Sequence, residues 1–185
     1  FDYLGEARWP HKNWYSGLID RAGYPKSIAY QAQIAWDPAP RIHIAVHADE
    51  KAEVRNWNDV QLEWENMRSH WNWKEGDTVR VMTASNCEEV ELFLNGVSQG
   101  VRERAGTPRL VWEGVPYRPG ELKAVALDSE GKAVASSLMR TAEEPAALRL
   151  SADRAVFAAG GEDLICVTVE AVDRNGTPHP LSALP

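Results

Sequence analysis

The sequence predicts a mainly β fold centred on an immunoglobulin-like β-sandwich, and three observations carry that prediction. From about Thr78 onward the chain breaks into short alternating runs punctuated by Asn95-Gly96, Pro119-Gly120 and Gly160-Gly161, the rhythm of a sandwich with turns every 8–12 residues. Seven of the eight tryptophans precede Lys74, so an unlike segment is joined to that β region. The length of 185 residues falls short of the roughly 250 residues of a free-standing (β/α)8 barrel.

The elements follow in order. Phe1–Leu4 looks like the end of a strand, and Leu18–Asp20 leads into a Gly-Tyr-Pro turn. Pro25–Trp36 reads as a helix with proline near its first turn; Ile28, Gln31, Ala32 and Ala35 fall at i, i+3, i+4 and i+7 on one face. Arg41–Val46 alternates as a strand, and Val60–Met67 is a short helix. Thr78–Met82 and Val90–Leu94 are strands, the second with Val90, Leu92 and Leu94 on one face, and Asn95-Gly96 supplies the tight hairpin that positive φ permits. Arg109–Val115, Glu121–Asp128 and Ala133–Thr141 continue the sandwich, the last two joined through Asp128–Gly131. Ala142-Glu143-Glu144-Pro145 reads as a linker, because the residue before proline leaves the α region. Ala147–Ser151, Ala155–Phe157 and Asp163–Val172 then open a second β pattern that turns at Asn175-Gly176.

Composition excludes several classes. The 44% hydrophobic share can bury a core and argues against disorder. A net charge of −7 offers no basic stripe for nucleic acid. No apolar run approaches the ~20 residues of a membrane span. Cys87 and Cys166 read as two unpaired, buried thiols with neither metal nor disulfide spacing. His43, His47 and His70 lack ligand spacing, and Glu88-Glu89 and Glu143-Glu144 read as solvated edges. Trp71 and Trp73, two apart on one side of an extended run, are expected to pack between modules. No cofactor or metal is expected.

Phe1-Asp2-Tyr3-Leu4-Gly5-Glu6, the run Trp14–Lys26 and His70-Trp71-Asn72-Trp73 together resemble glycoside hydrolase family 2, the β-galactosidase-like enzymes. Asn86–Gly96 and Tyr117–Ala126 resemble the sandwich that follows the barrel in many of them. The resemblance implies a C-terminal fragment: residues 1–47 as the last strand and helix of a TIM barrel, 48–73 as a connecting segment, 74–142 as the sandwich, and 146–185 as the truncated start of a second. It also implies a parent that hydrolyses terminal β-galactosides by a retaining mechanism with two carboxyl groups about 5–5.5 Å apart. Both glutamates belong to earlier barrel strands, so no catalytic residue is expected in this chain. Asp2, Glu6, Trp9 and Trp14 would lie at the sugar-binding rim. The partners implied are the carbohydrate and the remainder of the glycosidase chain; self-association, localisation, and the choice among galactoside, glucuronide and mannoside stay open. The competing reading is an autonomous carbohydrate-binding module with a tryptophan platform.

Overall fold

The computed structural model describes residues 17–19, 23–47, 67–156, 158 and 160–180. The chain forms two compact units, residues 1–139 and 140–185.

The first unit opens with Ile19 bridged to Pro25, so proline closes the turn instead of entering the helix. The helix α1 is Ser27–Trp36. Its buried positions are Ser27 and Ile34, i and i+7, and Tyr30 between them stacks on His43. This face is turned away from the expected stripe, since Ala35 is exposed. The helix stops at Asp37, extended at φ −92° and ψ 124°, because Pro38 disfavours helical geometry in the residue before it.

Ten strands follow. The first four-stranded sheet has the order β2-β1-β3-β6, where β1 is Ile42–His47, β2 Met67–Arg68, β3 Thr78–Ser85 and β6 Arg109–Pro116. The second has the order β5-β4-β7-β8, where β4 is Glu89–Leu94, β5 Val97–Glu103, β7 Glu121–Leu127 and β8 Ala133–Arg140. One core cluster joins the sheets: Ile44, Val81 and Trp112 from the first meet Val90, Leu92, Leu122 and Ala124 from the second. Strict alternation in β4 and β7 puts every second side chain into this core. In β6 the alternation breaks between Trp112 and Val115, both buried. Gly114 at φ 65° supplies the extra residue of a bulge opposite Val79 and Val81, which returns Val115 to the core side.

Further assignments change in the sandwich. Ile42–His47, grouped with the barrel end from sequence, pairs along its whole length with β3, from Ile42 opposite Ser85 to His47 opposite Arg80; it is an interior strand of the sandwich. Met67, read as the end of a helix, lies in β2 and pairs with His47, while 60–66 lie outside the described residues. Trp71 does not pack between modules: it is fully buried in the sandwich core, its indole N–H donates to the Arg118 carbonyl at 3.0 Å, and its ring meets Tyr117 edge-on with centroids 5.2 Å apart. Trp73 packs partly buried against the same core.

The outer face of the first sheet is partly covered too. His43, Ala45 and His47 alternate with the inward Ile44 and Val46, and α1 packs over β1 and β3 on this side. Ala45, Met67 and Met82 form a small second cluster there.

The second unit pairs β9, Ala147–Ala152, antiparallel with β10, Val167–Val172. Ala155 and Val156 are irregular rather than a strand, and Phe157 lies outside the described residues. Asp163 explains why β10 starts late: its carboxylate accepts the backbone N–H of Ala158 and of Leu164, fixing a turn where ladder bonds would otherwise form.

Candidate functional site

The four sequence-derived rim residues, Asp2, Glu6, Trp9 and Trp14, lie outside the described residues. Within the first unit a cleft of about 300 Å³ opens between α1, the loop that follows it, β1 and β8, lined by Tyr30, Gln33, Arg41, His43, Ala135 and Ser136 among others.

The loop is built before any ligand arrives. Asn86, just past β3, donates from Nδ2 to the carbonyls of Asp37 at 2.9 Å and Ala39 at 2.7 Å, and its Oδ1 accepts the Arg41 N–H at 2.8 Å. Ser85 Oγ donates to the Arg41 carbonyl at 2.9 Å. These bonds satisfy a proline-rich loop that can form few backbone hydrogen bonds of its own.

The electrostatics are close to neutral. The Asp37 carboxyl is held below its ordinary range, first by the Ala39 N–H and then by Arg41, whose Nε donates to it. The two charges therefore cancel beside the cleft. Burial lowers His43 to a pKa of about 4, so it is uncharged at neutral pH. Its ring lies 4.1 Å from that of Tyr30 at an interplanar angle of 12°, and its buried Nε2 has no hydrogen-bond partner among the described residues.

Among the described residues no carboxylate lines this cleft. Hydrolysis of a glycosidic bond by the retaining route needs a carboxylic acid and a carboxylate facing each other, so these residues can bind and orient but cannot perform that chemistry.

The remaining candidates are dispersed. His47 is buried on the outer sheet face, with neither ring nitrogen partnered among the described residues. His70 stacks on Trp73 at 5.1 Å, and its Nδ1 accepts the Asn72 N–H. No group of three metal-ligating side chains occurs among the described residues. Both cysteines are free; Cys87 is half-buried, but Cys166 is exposed, since the two-stranded second unit leaves it uncovered. Glu143 is more than a solvated edge: it pairs with Arg174 at 2.6 Å. Of the described tryptophans, Trp71 and Trp112 are buried and Trp36 is 79% exposed, so they form no shared platform. Asn86 was the residue that sequence pattern did not mark as functional, although it sits in one of the segments that carried the family resemblance.

Comparison with known proteins shows what the chain resembles. Residues 76–135 match the family described as Domain of unknown function (DUF4982). The chain is 35% identical to the β-galactosidase BoGH2A of Bacteroides ovatus over 97% of its own length. A solved structure of a glycosyl hydrolase family 2 member from Bacteroides cellulosilyticus matches at 35% identity and a TM-score of 0.79, covering 91% of this chain and 22% of that one. The proteins it matches are glycoside hydrolase family 2 members, and the chain resembles a small part of each. A solved family 2 β-glucuronidase also matches, at 25% identity and a TM-score of 0.72, covering 90% of this chain and 15% of that one.

The chain spans about a fifth of the length of these relatives, 19% in the case of the Bacteroides ovatus enzyme. The matched domain, residues 76–135, runs from just before β3 into β8 and so lies within the sandwich. The cleft draws on that domain only through its β8 edge; α1 and β1 precede it.

Proposed function

We propose that this chain is part of a retaining β-glycosidase whose substrates carry a terminal β-linked galactose. The single observation that carries this reading is the 35% identity to a β-galactosidase across nearly the whole chain. The likeness to a β-glucuronidase makes galactose the finer part of the proposal.

In this reading the general acid/base and the nucleophile are two carboxyl groups about 5–5.5 Å apart, both contributed by polypeptide outside these 185 residues. Asp2, Glu6, Trp9 and Trp14 contribute hydrogen bonds and an aromatic surface at the sugar-binding rim. The helix α1 is the last helix of the barrel, and its packing over β1 and β3 fixes the sandwich to the catalytic domain.

Residues 146–185 begin a second sandwich. Support comes from a repeated turn. Asp128 Oδ1 accepts the N–H groups of Glu130 and Lys132; Asp173 Oδ1 accepts those of Asn175 and Thr177 in the same spacing. Counting back from each aspartate, Leu122, Ala124 and Ala126 of β7 correspond to Val167, Val169 and Ala171 of β10. The first three are fully buried.

The test is turnover of chromogenic β-galactoside and β-glucuronide by the longer protein and by the 185-residue chain. Galactoside hydrolysis by the longer protein, with none by the chain alone, is expected. Turnover by the chain itself, or exclusive glucuronide hydrolysis by the longer protein, would overturn the corresponding part.

A further inference from the structure

We infer that the cleft between α1 and β1 is a binding site for a single neutral sugar ring. Its volume of about 300 Å³ stands at the lower end of small-molecule sites, room for one ring rather than an oligosaccharide. Its lining mixes two kinds of surface. The Tyr30 hydroxyl, Gln33 amide and Ser136 hydroxyl offer donors and acceptors, while Ile34, Ile42 and Ala135 offer apolar contact. A pyranose presents that combination, with hydroxyls around its edge and C–H groups on its faces.

Charge narrows the class further. A phosphate or carboxylate would need an uncompensated cation, yet Arg41 is paired with Asp37 and His43 is neutral at physiological pH. The ligand that matches is uncharged and hydrogen-bonding. Preorganisation favours affinity, because the Asp37–Arg41 loop is already tied to Asn86 and Ser85, so little ordering remains to oppose binding. The inference does not depend on the glycosidase reading: an inactive longer protein would leave it standing, and its own failure would leave that reading standing.

The experiment is a titration of the 185-residue chain, followed by backbone amide NMR, with D-galactose, D-glucose, D-glucuronate and inorganic phosphate at millimolar concentrations. Saturable shifts confined to Tyr30, Gln33, Arg41, His43 and Ser136 are expected with one or both neutral sugars and not with phosphate. Gln33→Ala and Ser136→Ala, both at exposed positions, should each weaken binding about five- to tenfold, the loss of one hydrogen bond, with the rest of the spectrum unchanged. Absence of saturation with either neutral sugar, tighter binding of glucuronate or phosphate, or full affinity in both variants would overturn the assignment.

Discussion

Asn86 and Asp37 are joined side chain to backbone: the Asn86 amide donates to the Asp37 carbonyl at 2.9 Å, and the same side chain reaches Ala39 and Arg41. One residue just past β3 thus ties three points of the connection between the helix and the first strand of the sandwich, with Ser85 holding the Arg41 carbonyl beside it. Asn86→Ala is expected to destabilise the first unit by about 1–3 kcal/mol, measured by chemical denaturation. It should also broaden the amide signals of residues 37–41, whereas an unchanged spectrum and midpoint would show that the prolines alone fix the loop.

Gly120 is pressed against Asn95. The Asn95 Oδ1 accepts the Glu121 N–H at 2.6 Å and its Nδ2 donates to the Pro119 carbonyl at 3.0 Å. A Cβ on Gly120 would stand 2.1 Å from that Oδ1, at a φ of 129°. Gly120→Ala should cost roughly 2–3 kcal/mol from clash and backbone strain combined. In a double-mutant cycle with Asn95→Ala the two losses should fall short of additive, since the truncated partner leaves room for the new methyl group.

Trp71 combines burial with one hydrogen bond, and the two contributions can be separated. Trp71→Phe keeps much of the buried ring but leaves the Arg118 carbonyl without its indole donor, a loss of about 1–3 kcal/mol. Trp71→Ala also empties the core and should cost about 3–5 kcal/mol. Equal losses for both variants in urea unfolding would contradict this division.

His43 gives the first unit a defined acid sensitivity. Its folded pKa is lowered from 6.5 to about 4, so between those values the unfolded chain binds a proton that the folded chain refuses. Stability contributed by the neutral ring is fully present above about pH 6.5, declines as pH falls, and stops declining below about pH 4. The span corresponds to roughly 3 kcal/mol. His43→Phe, which keeps a ring against Tyr30, should flatten the pH dependence of thermal unfolding over that window; an unaltered slope would assign it to other groups.

The uncovered face of the second unit provides another contrast. Leu150 is 66% exposed, so Leu150→Ser should change the stability of this chain by less than about 0.5 kcal/mol. In the longer protein, where a second sheet is proposed to cover that face, the same change should cost about 2–4 kcal/mol. Equal effects in the two proteins would refute the second sandwich.

How far the sequence was legible depended on the range of the interactions involved. The strands around Val81, Leu92 and Ala124 were readable because each carries its own alternation and ends in a tight turn; Asn95 at φ 50° and Gly96 at φ 80° adopt the conformation their residue types suggest. Ile42–His47 was recognisable as a strand, but its partner was not, because the pairing with β3 is distant in sequence. Val97–Glu103 gave no signal: it is an edge strand whose residues are nearly all exposed, and it exists through its ladder with β4. Trp71 was correctly read as a packing residue and wrongly given a neighbour, since periodicity cannot tell which surface an aromatic ring meets. The cleft was illegible for the same reason, as Tyr30, His43 and Ser136 converge only through tertiary packing.

The pairing of Ile42–His47 inside the first sheet has a mechanical meaning. Only residues 37–41 separate it from α1, and those residues are fastened at both ends of the span. A displacement of the helix would therefore load an interior strand directly rather than be absorbed by slack in the connection.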